Sequence, residues 1–229
     1  MKDRELALQL IPESPRHVIP RSMLLHGQSE LLGPVASGSF AIYDIERSTL
    51  ALIGSPAPKS CMPDSMPPIV VAVSQAFDTS PWPAYRWQTL DVLTLEIRHP
   101  TRRAPGAAAP AERLPSNFPI DDAAEDLRFA LGVGLSLGPV FAVRKQGTPV
   151  AAACCFWRSQ HYYDISIDTL PEHRRRGLGH AVAAALIDEL APANAVHCSS
   201  TDDQQARHFI ESLGFQRVGE IRIGKVRDS

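Results

Sequence analysis

The alternation of hydrophobic and polar positions divides the 229-residue chain into a loosely patterned first part and a regular second part. In the first, Met23 to Leu32 has helical periodicity, Ser39 to Asp44 and Thr49 to Ile53 read as short strands, and Pro68 to Phe77 is an apolar run. Thr89 to Ile97 predicts another strand, buried on at least one side. From Asp121 the texture changes. Asp121-Asp122 caps a helix through Leu131, and Val140 to Arg144 and Val150 to Trp157 form a hairpin around Lys145-Gln146-Gly147. Tyr162 to Thr169 is the next strand, with Tyr163, Ile165, Ile167 and Thr169 on one face and Asp164, Ser166 and Asp168 on the other. A polar face on a central strand suggests a cleft. Leu178, Val182, Leu186 and Leu190 recur every four residues, so His180 to Leu190 is a helix with an apolar stripe, closed by Pro192. Ala195 to Ser200 then reads as a strand. Asp202 or Asp203 caps a helix with Ala206, Phe209, Ile210 and Leu213 on one side, Gly214 takes its C′ position, and Phe215 to Ile223 is a final strand. Helix, hairpin, strand, helix, strand, helix, strand is a mixed α/β sheet built around one crossover.

Proline usage marks the same boundary: 16 of the 20 prolines lie at or before Pro119. Between Pro100 and Pro119, Arg102-Arg103 and Ala- and Pro-rich segments carry almost no bulky apolar side chain, as in a linker or mobile loop. The organisation expected is an N-terminal α/β region over 1–105, a linker over 106–119 and a second domain over 120–229. No repeat is evident in the sequence.

Composition narrows the function. With 44% hydrophobic residues the chain can support a core, and a formal net charge of −2 supplies no positive field for nucleic acid. Nucleic acid and membrane are not expected partners. The start, Met1-Lys2-Asp3-Arg4-Glu5, mixes both signs and leads into no signal-peptide or membrane-length apolar run, so a cytoplasmic location is expected. Cys61, Cys154, Cys155 and Cys198 have no CxxC spacing, so neither a metal site nor a disulfide framework is expected. They read as small buried hydrophobes.

The stretch with the clearest chemistry is Pro171-Glu172-His173-Arg174-Arg175-Arg176-Gly177-Leu178-Gly179, between the Tyr162 strand and the following helix. Two glycines after a basic triplet let several N–H groups converge on one anion at a helix N-terminus, where charge and dipole act together. The spacing is neither a P-loop nor a dinucleotide fingerprint. A tight structural connection and a solvated basic patch are the plain alternatives.

Arg174-Arg175-Arg176-Gly177-Leu178-Gly179 resembles the acetyl-CoA signature of the GNAT N-acetyltransferase superfamily, Arg/Gln-x-x-Gly-x-Gly/Ala. Asp203-Gln204-Gln205-Ala206 through Gly214-Phe215 is similar to its second signature, Asn-x-x-Ala followed by Gly-Phe. The resemblance covers roughly the second half of the chain. It implies a mixed, mostly antiparallel sheet of GNAT type with flanking helices, preceded by a smaller Pro-rich α/β region. It further implies an acetyl-CoA-dependent N-acetyltransferase that moves an acetyl group directly to a primary amine, with a small molecule preferred as acceptor. The N–H groups of Arg175, Arg176, Gly177, Leu178, Gly179 and His180 would hold the CoA pyrophosphate, with Arg174 and Asp203 assisting, and the backbone at Ile167 and Thr169 would pair with the pantetheine arm. Asp168 or Asp164 would be the base, directly or through water, with His161 third. The sequence departs from the family at two places. Ile210 stands where a Tyr acid is usual, and Asp203 replaces the usual Asn. Hydroxyls at Ser199, Ser200 or Thr201 would then assist the leaving thiolate, or it would leave unprotonated. The first half is expected to shape the acceptor site or a homodimer surface. A non-catalytic acyl-CoA-binding module and a peptide or protein acetyltransferase are the rival functions.

Overall fold

Several strand segments, among them Phe40–Asp44, Thr49–Ile53 and Ile69–Ala72, are short, apolar and buried, and that composition draws them into the interior of a sheet. A computed structural model describes residues 2–55, 58–74, 77–95, 110–190, 194–200 and 204–227, with backbone alone at 58–59 and 194–200. In chain order the elements are α1 (Lys2–Leu10), α2 (Val18–His26), β1 (Ser29–Leu32), β2 (Phe40–Asp44), β3 (Thr49–Ile53), α3 (Pro58–Cys61), β4 (Ile69–Ala72) and β5 (Tyr85–Leu95). They continue with β6 (Glu112–Arg113), α4 (Glu125–Leu137), β7 (Phe141–Lys145), β8 (Thr148–Arg158), β9 (Tyr162–Thr169), α5 (Leu178–Glu189), β10 (Asn194–Ser200), α6 (Gln204–Ser212) and β11 (Gln216–Val226). The fold is mixed α/β with mostly antiparallel strands, as expected. No helix among the described residues is long and apolar enough to cross a membrane.

The chain divides into two compact units: 1–93 with 198–208 and 216–229, and 94–197 with 209–215. In the first, the strands follow the order β1-β2-β3-β4-β11-β5. β1, β2 and β3 are antiparallel neighbours, whereas β3 and β4 pair in parallel from Thr49↔Ile69 to Leu52↔Ala72. β11 closes antiparallel on the far side of β4, with Arg222 opposite Ala72 and Lys225 opposite Ile69. Ala41, Leu50, Leu52, Val70 and Ala72 form one core cluster with Phe77, Trp82 and Tyr85. Two differences from the periodicity stand out. The helix expected from Met23 begins at Val18 and stops at His26, because Gly27 leaves the helix with extended backbone and Ser29 to Leu32 finds a partner in β2. A helix not foreseen, α1, buries only Ala7; Arg4 fastens it to the end of α2 through the carbonyls of Leu24 (2.6 Å), Met23 and Gly27 (both 3.2 Å).

In the second unit the order is β10-β9-β8-β7-β6. β6, within the stretch expected to be a linker, pairs with β7, and Leu114 and Phe118 after it are buried. α4 runs six residues past Leu131 and is preceded by a 3-10 turn, Ile120–Asp122, with no side-chain cap. It continues through Gly132 and Gly134 because the second lies directly against Cys154 of β8, where any larger side chain would collide. α5 buries Leu178, Val182, Ala183, Leu186 and Ile187.

Candidate active site

Register decides which edge of β9 is open. The Leu170 N–H donates to the Val150 carbonyl at 3.0 Å, so the hydrogen-bonded rows of this antiparallel pair are 150/170, 152/168 and 154/166. The N–H and C=O of Ile165, Ile167 and Thr169 therefore point away from β8, toward the side of β10. There the parallel pairing covers Asn194↔Tyr162, Ala195↔Tyr163 and Val196↔Asp164. Beyond that row, Ile167 and Thr169 have no strand partner on that side among the described residues.

The faces of β9 separate two kinds of chemistry. Cys154 lies against α4, and residues directly opposite one another share a face, so Ser166 and Asp168 share the α4 side with it. Ser166 Oγ donates to Asp168 Oδ2 at 2.7 Å. Asp164, 8% exposed, is on that face too, opposite Trp157 and at the last row paired with β10. On the other face, the Thr169 hydroxyl approaches Gly179, so α5 covers that side. The three polar side chains that sequence alternation singled out thus stand together.

Where β9 ends, the chain makes a 3-10 turn at Pro171–His173, and Arg174 Nε returns to the Thr169 carbonyl at 3.1 Å. Arg175 (φ 57°) and Gly177 (φ 73°) both take left-handed backbone, the alternation that turns successive N–H groups toward one point. Among the described residues, the N–H groups of Arg175 through His180 find no acceptor; the first helical bond is Ala181 N–H to Gly177 O at 3.1 Å. Arg175 and Arg176 are exposed and have no ion-pair partner among the described residues. Six free donors, two unpaired cations and a helix N-terminus fit a diphosphate.

The two glycines serve different ends. Gly177 supplies the left-handed turn, while Gly179 is helical and keeps room for α6: a side-chain carbon there would stand 3.2 Å from Phe209 Cζ. The Phe209 ring also meets His180 edge-on at 4.8 Å. His180 Nε2 lies 2.9 Å from Ser212 Oγ, whose proton goes to the Phe209 carbonyl at 2.6 Å. The hydroxyl can then only accept, so Nε2 is the donor of this pair. Sequence reading placed His180 in the cradle and missed this bracing, because Ser212 is one helix and one strand away.

Other expected residues are distributed as follows. Leu178 contributes its N–H while its side chain is buried. His161 is exposed in the turn between β8 and β9. Ile210 is 2% exposed, a core residue. Ser199 and Ser200 end β10, described in backbone only, and Thr201 and Asp203 lie outside the described residues. Cys61, Cys154 and Cys155 are buried free thiols; burial, the neighbouring thiol and the carboxylates of Asp168 and Asp164 push the Cys154 thiol far up, and burial first, then Asp164, pushes Cys155 up to about 12. At Cys154 and Cys155 this disfavours the thiolate. No group of three or more metal-ligating side chains occurs among the described residues. An open groove of about 320 Å³ between Arg113–Ser116 and Leu135–Pro139 lies by the end of α4, with Arg113 paired to Glu189 at 2.7 Å; it is remote from the cradle, since Glu189 ends the helix that the cradle begins.

Comparison with known proteins agrees with this geometry. Residues 133–223 match the GNAT acetyltransferase family. A GCN5-related N-acetyltransferase-like protein from Streptococcus suis has the same fold over 99% of both chains, with a TM-score of 0.70 and 17% identity. A GCN5-related N-acetyltransferase from Kribbella flavida aligns over 99% of this chain and 96% of its own, at a TM-score of 0.58 and 14% identity. A tandem GNAT protein from the clavulanic acid biosynthesis pathway covers all of this chain and 96% of its own, at 0.56 and 12%. No curated protein matches the sequence. The fold is a mixed α/β domain of the kind these structures share. Over residues 133–223 this chain is similar to the GNAT acetyltransferase family, and its fold is that of the structures above.

Proposed function

We propose that the protein is an acetyl-CoA-dependent N-acetyltransferase acting on a primary amine of a small molecule. The observation that carries this is the open edge of β9 ending in a cradle of six free N–H groups. Arg175 through His180 hold the diphosphate, Arg175 and Arg176 add charge, and Ile167 and Thr169 offer strand-like hydrogen bonds to the pantetheine arm. When bound, acetyl-CoA supplies an activated thioester whose acyl group passes to the amine nitrogen.

Asp164 is placed to act first. It stands at the row where β9 and β10 part, on the face away from α5, and a carboxylate there can take the proton of an incoming ammonium. The Ser166–Asp168 pair continues the same face and can pass that proton outward. With Ile210 buried, α6 provides no hydroxyl acid at that position, and a CoA thiolate is a fair enough leaving group to depart unprotonated. The buried Ile210 also favours a second reading, a module that holds acyl-CoA without turnover.

The deciding experiment is CoA thiol release against a broad amine panel, beside an acetyl-CoA thermal-shift titration. Binding with acceptor-dependent release is the expected result. Saturable binding without release for any amine would establish the second reading, and no binding would remove both.

A further inference from the structure

We propose that the acceptor is an amine carried on an aromatic or similarly bulky apolar group, selected by Phe129 and Phe156; this rests on the acetyltransferase reading above. Phe129, on α4, is 72% exposed, more than any other large hydrophobic described. It is not an isolated side chain. Its ring lies 5.9 Å from that of Phe156, tilted at 43°.

Phe156 owes its position to a bulge. The pairing of β8 with β9 passes from Cys155↔Ile165 to Trp157↔Asp164, leaving Phe156 with no partner across the strand. Such an extra residue re-aims the side chains beside it. Trp157 shares Asp164's face, and Phe156, by its contact with Phe129, lies on the α4 side as well. Two successive aromatic residues thus share the face of Asp164, where simple alternation would have sent one to the other side. The bulge interrupts the strand next to the row at which β9 and β10 part.

Two carboxylates, Asp164 and Asp168, share the sheet face of this apolar pair. The carboxylates of Asp164 and Asp168 act on the Cys154 thiol of the same face. Arg158, the nearby cation, lies over the Tyr163 ring at 5.8 Å and reaches the Leu137 carbonyl at 3.5 Å. Carboxylates attract an ammonium, and aromatic faces accept both an apolar body and the cation on it. One positive nitrogen beside one ring-sized apolar group satisfies both. A polyamine offers no ring-sized apolar group to set against the phenylalanines.

The test compares 2-phenylethylamine, ethylamine and spermidine as acceptors, with direct titration calorimetry of 2-phenylethylamine in the absence of acetyl-CoA. The wild-type chain should prefer 2-phenylethylamine to ethylamine by ~10-fold or more in kcat/KM, mainly through KM. Phe129→Ala should raise that KM and the calorimetric Kd by ~10-fold with kcat retained and the unfolding midpoint held, and Phe129→Tyr should restore both. Leu25→Ala, which removes another exposed apolar side chain, serves as the control and should move neither. Equal use of ethylamine, a preference for spermidine, or an unaltered Kd in Phe129→Ala would overturn the proposal while leaving acetyl transfer standing. Failure of every amine to release CoA would instead remove the acetyltransferase reading, and this inference with it.

Discussion

The ring of Phe209 fills the space that a side chain on Gly179 would need, with Cζ at 3.2 Å and Cε2 at 3.4 Å from the point where a side-chain carbon would begin. Gly177, two residues earlier, is constrained by its backbone instead (φ 73°). Gly179→Ala should cost about 1 kcal/mol, because Phe209 must give by a few tenths of an ångström. Gly177→Val should retain cooperative unfolding and lose the acetyl-CoA thermal shift, since the branched side chain both resists the left-handed turn and stands among the free N–H groups. A full shift in Gly177→Val would refute the diphosphate cradle.

Asp164 and the Ser166–Asp168 pair make separable claims about proton transfer. Asp164→Asn should lower kcat/KM by roughly 10²-fold or more if its carboxylate takes the proton. Because Ser166 Oγ donates to Asp168, Ser166→Ala and Asp168→Asn act on one connection, and their effects should fall short of additive in the double variant. Steady-state kinetics of the four proteins checks both, and full additivity would show the pair to be independent.

Much of this arrangement was legible in the sequence, and the limits have physical causes. Period-two alternation placed Asp164, Ser166 and Asp168 on one face, and the Gly-x-Gly after a basic triplet marked the cradle. Alternation could not foresee the bulge at Phe156, where one residue drops out of the count, so the shared face of Phe156 and Trp157 was invisible. Gly132 and Gly134 carry low helix propensity, and the close approach of Cys154 that requires glycine at 134 is invisible in the sequence. β1 was hidden inside a helical pattern because its identity depends on β2, a partner about ten residues on. Asp203 falls outside the described residues, and no structural role is assigned to it.

His17 should make the protein acid-sensitive. Burial first, then the charges of Arg16 and Arg21, lower its pKa from 6.5 to about 4, against an opposing pull from Glu13. Between those values the unfolded chain takes up a proton that the folded chain refuses, so this site's contribution to stability falls as pH drops from 6.5 to about 4 and is level above 6.5. Urea midpoints measured across that window should show a shallower slope for His17→Gln than for the wild type. Parallel slopes would place the acid sensitivity elsewhere.

Asp91, 1% exposed, receives Arg217 Nε at 2.7 Å and pairs with Arg207 on α6. Asp91→Asn leaves two guanidinium groups converging on a neutral amide and should cost about 2–3 kcal/mol in urea denaturation, less than a fully buried pair because both arginines reach solvent. Arg217→Lys should cost under about 1 kcal/mol, since Arg217 is half exposed. Equal losses in the two variants would mean that the carboxylate is not the centre of the cluster.

The place of β11 has a consequence for how the chain is made. β4 has β3 on one side almost as soon as it leaves the ribosome, but its other neighbour is β11, at residues 216–226. At ordinary synthesis speeds that leaves an apolar strand edge open for on the order of ten seconds, while the intervening residues are still emerging. During that interval the nascent first unit presents Ile69 to Ala72 as a template for any strand that meets it, including the same strand on a neighbouring nascent chain. The last step of its assembly waits for β11, and chaperone demand should follow the arrival of that strand.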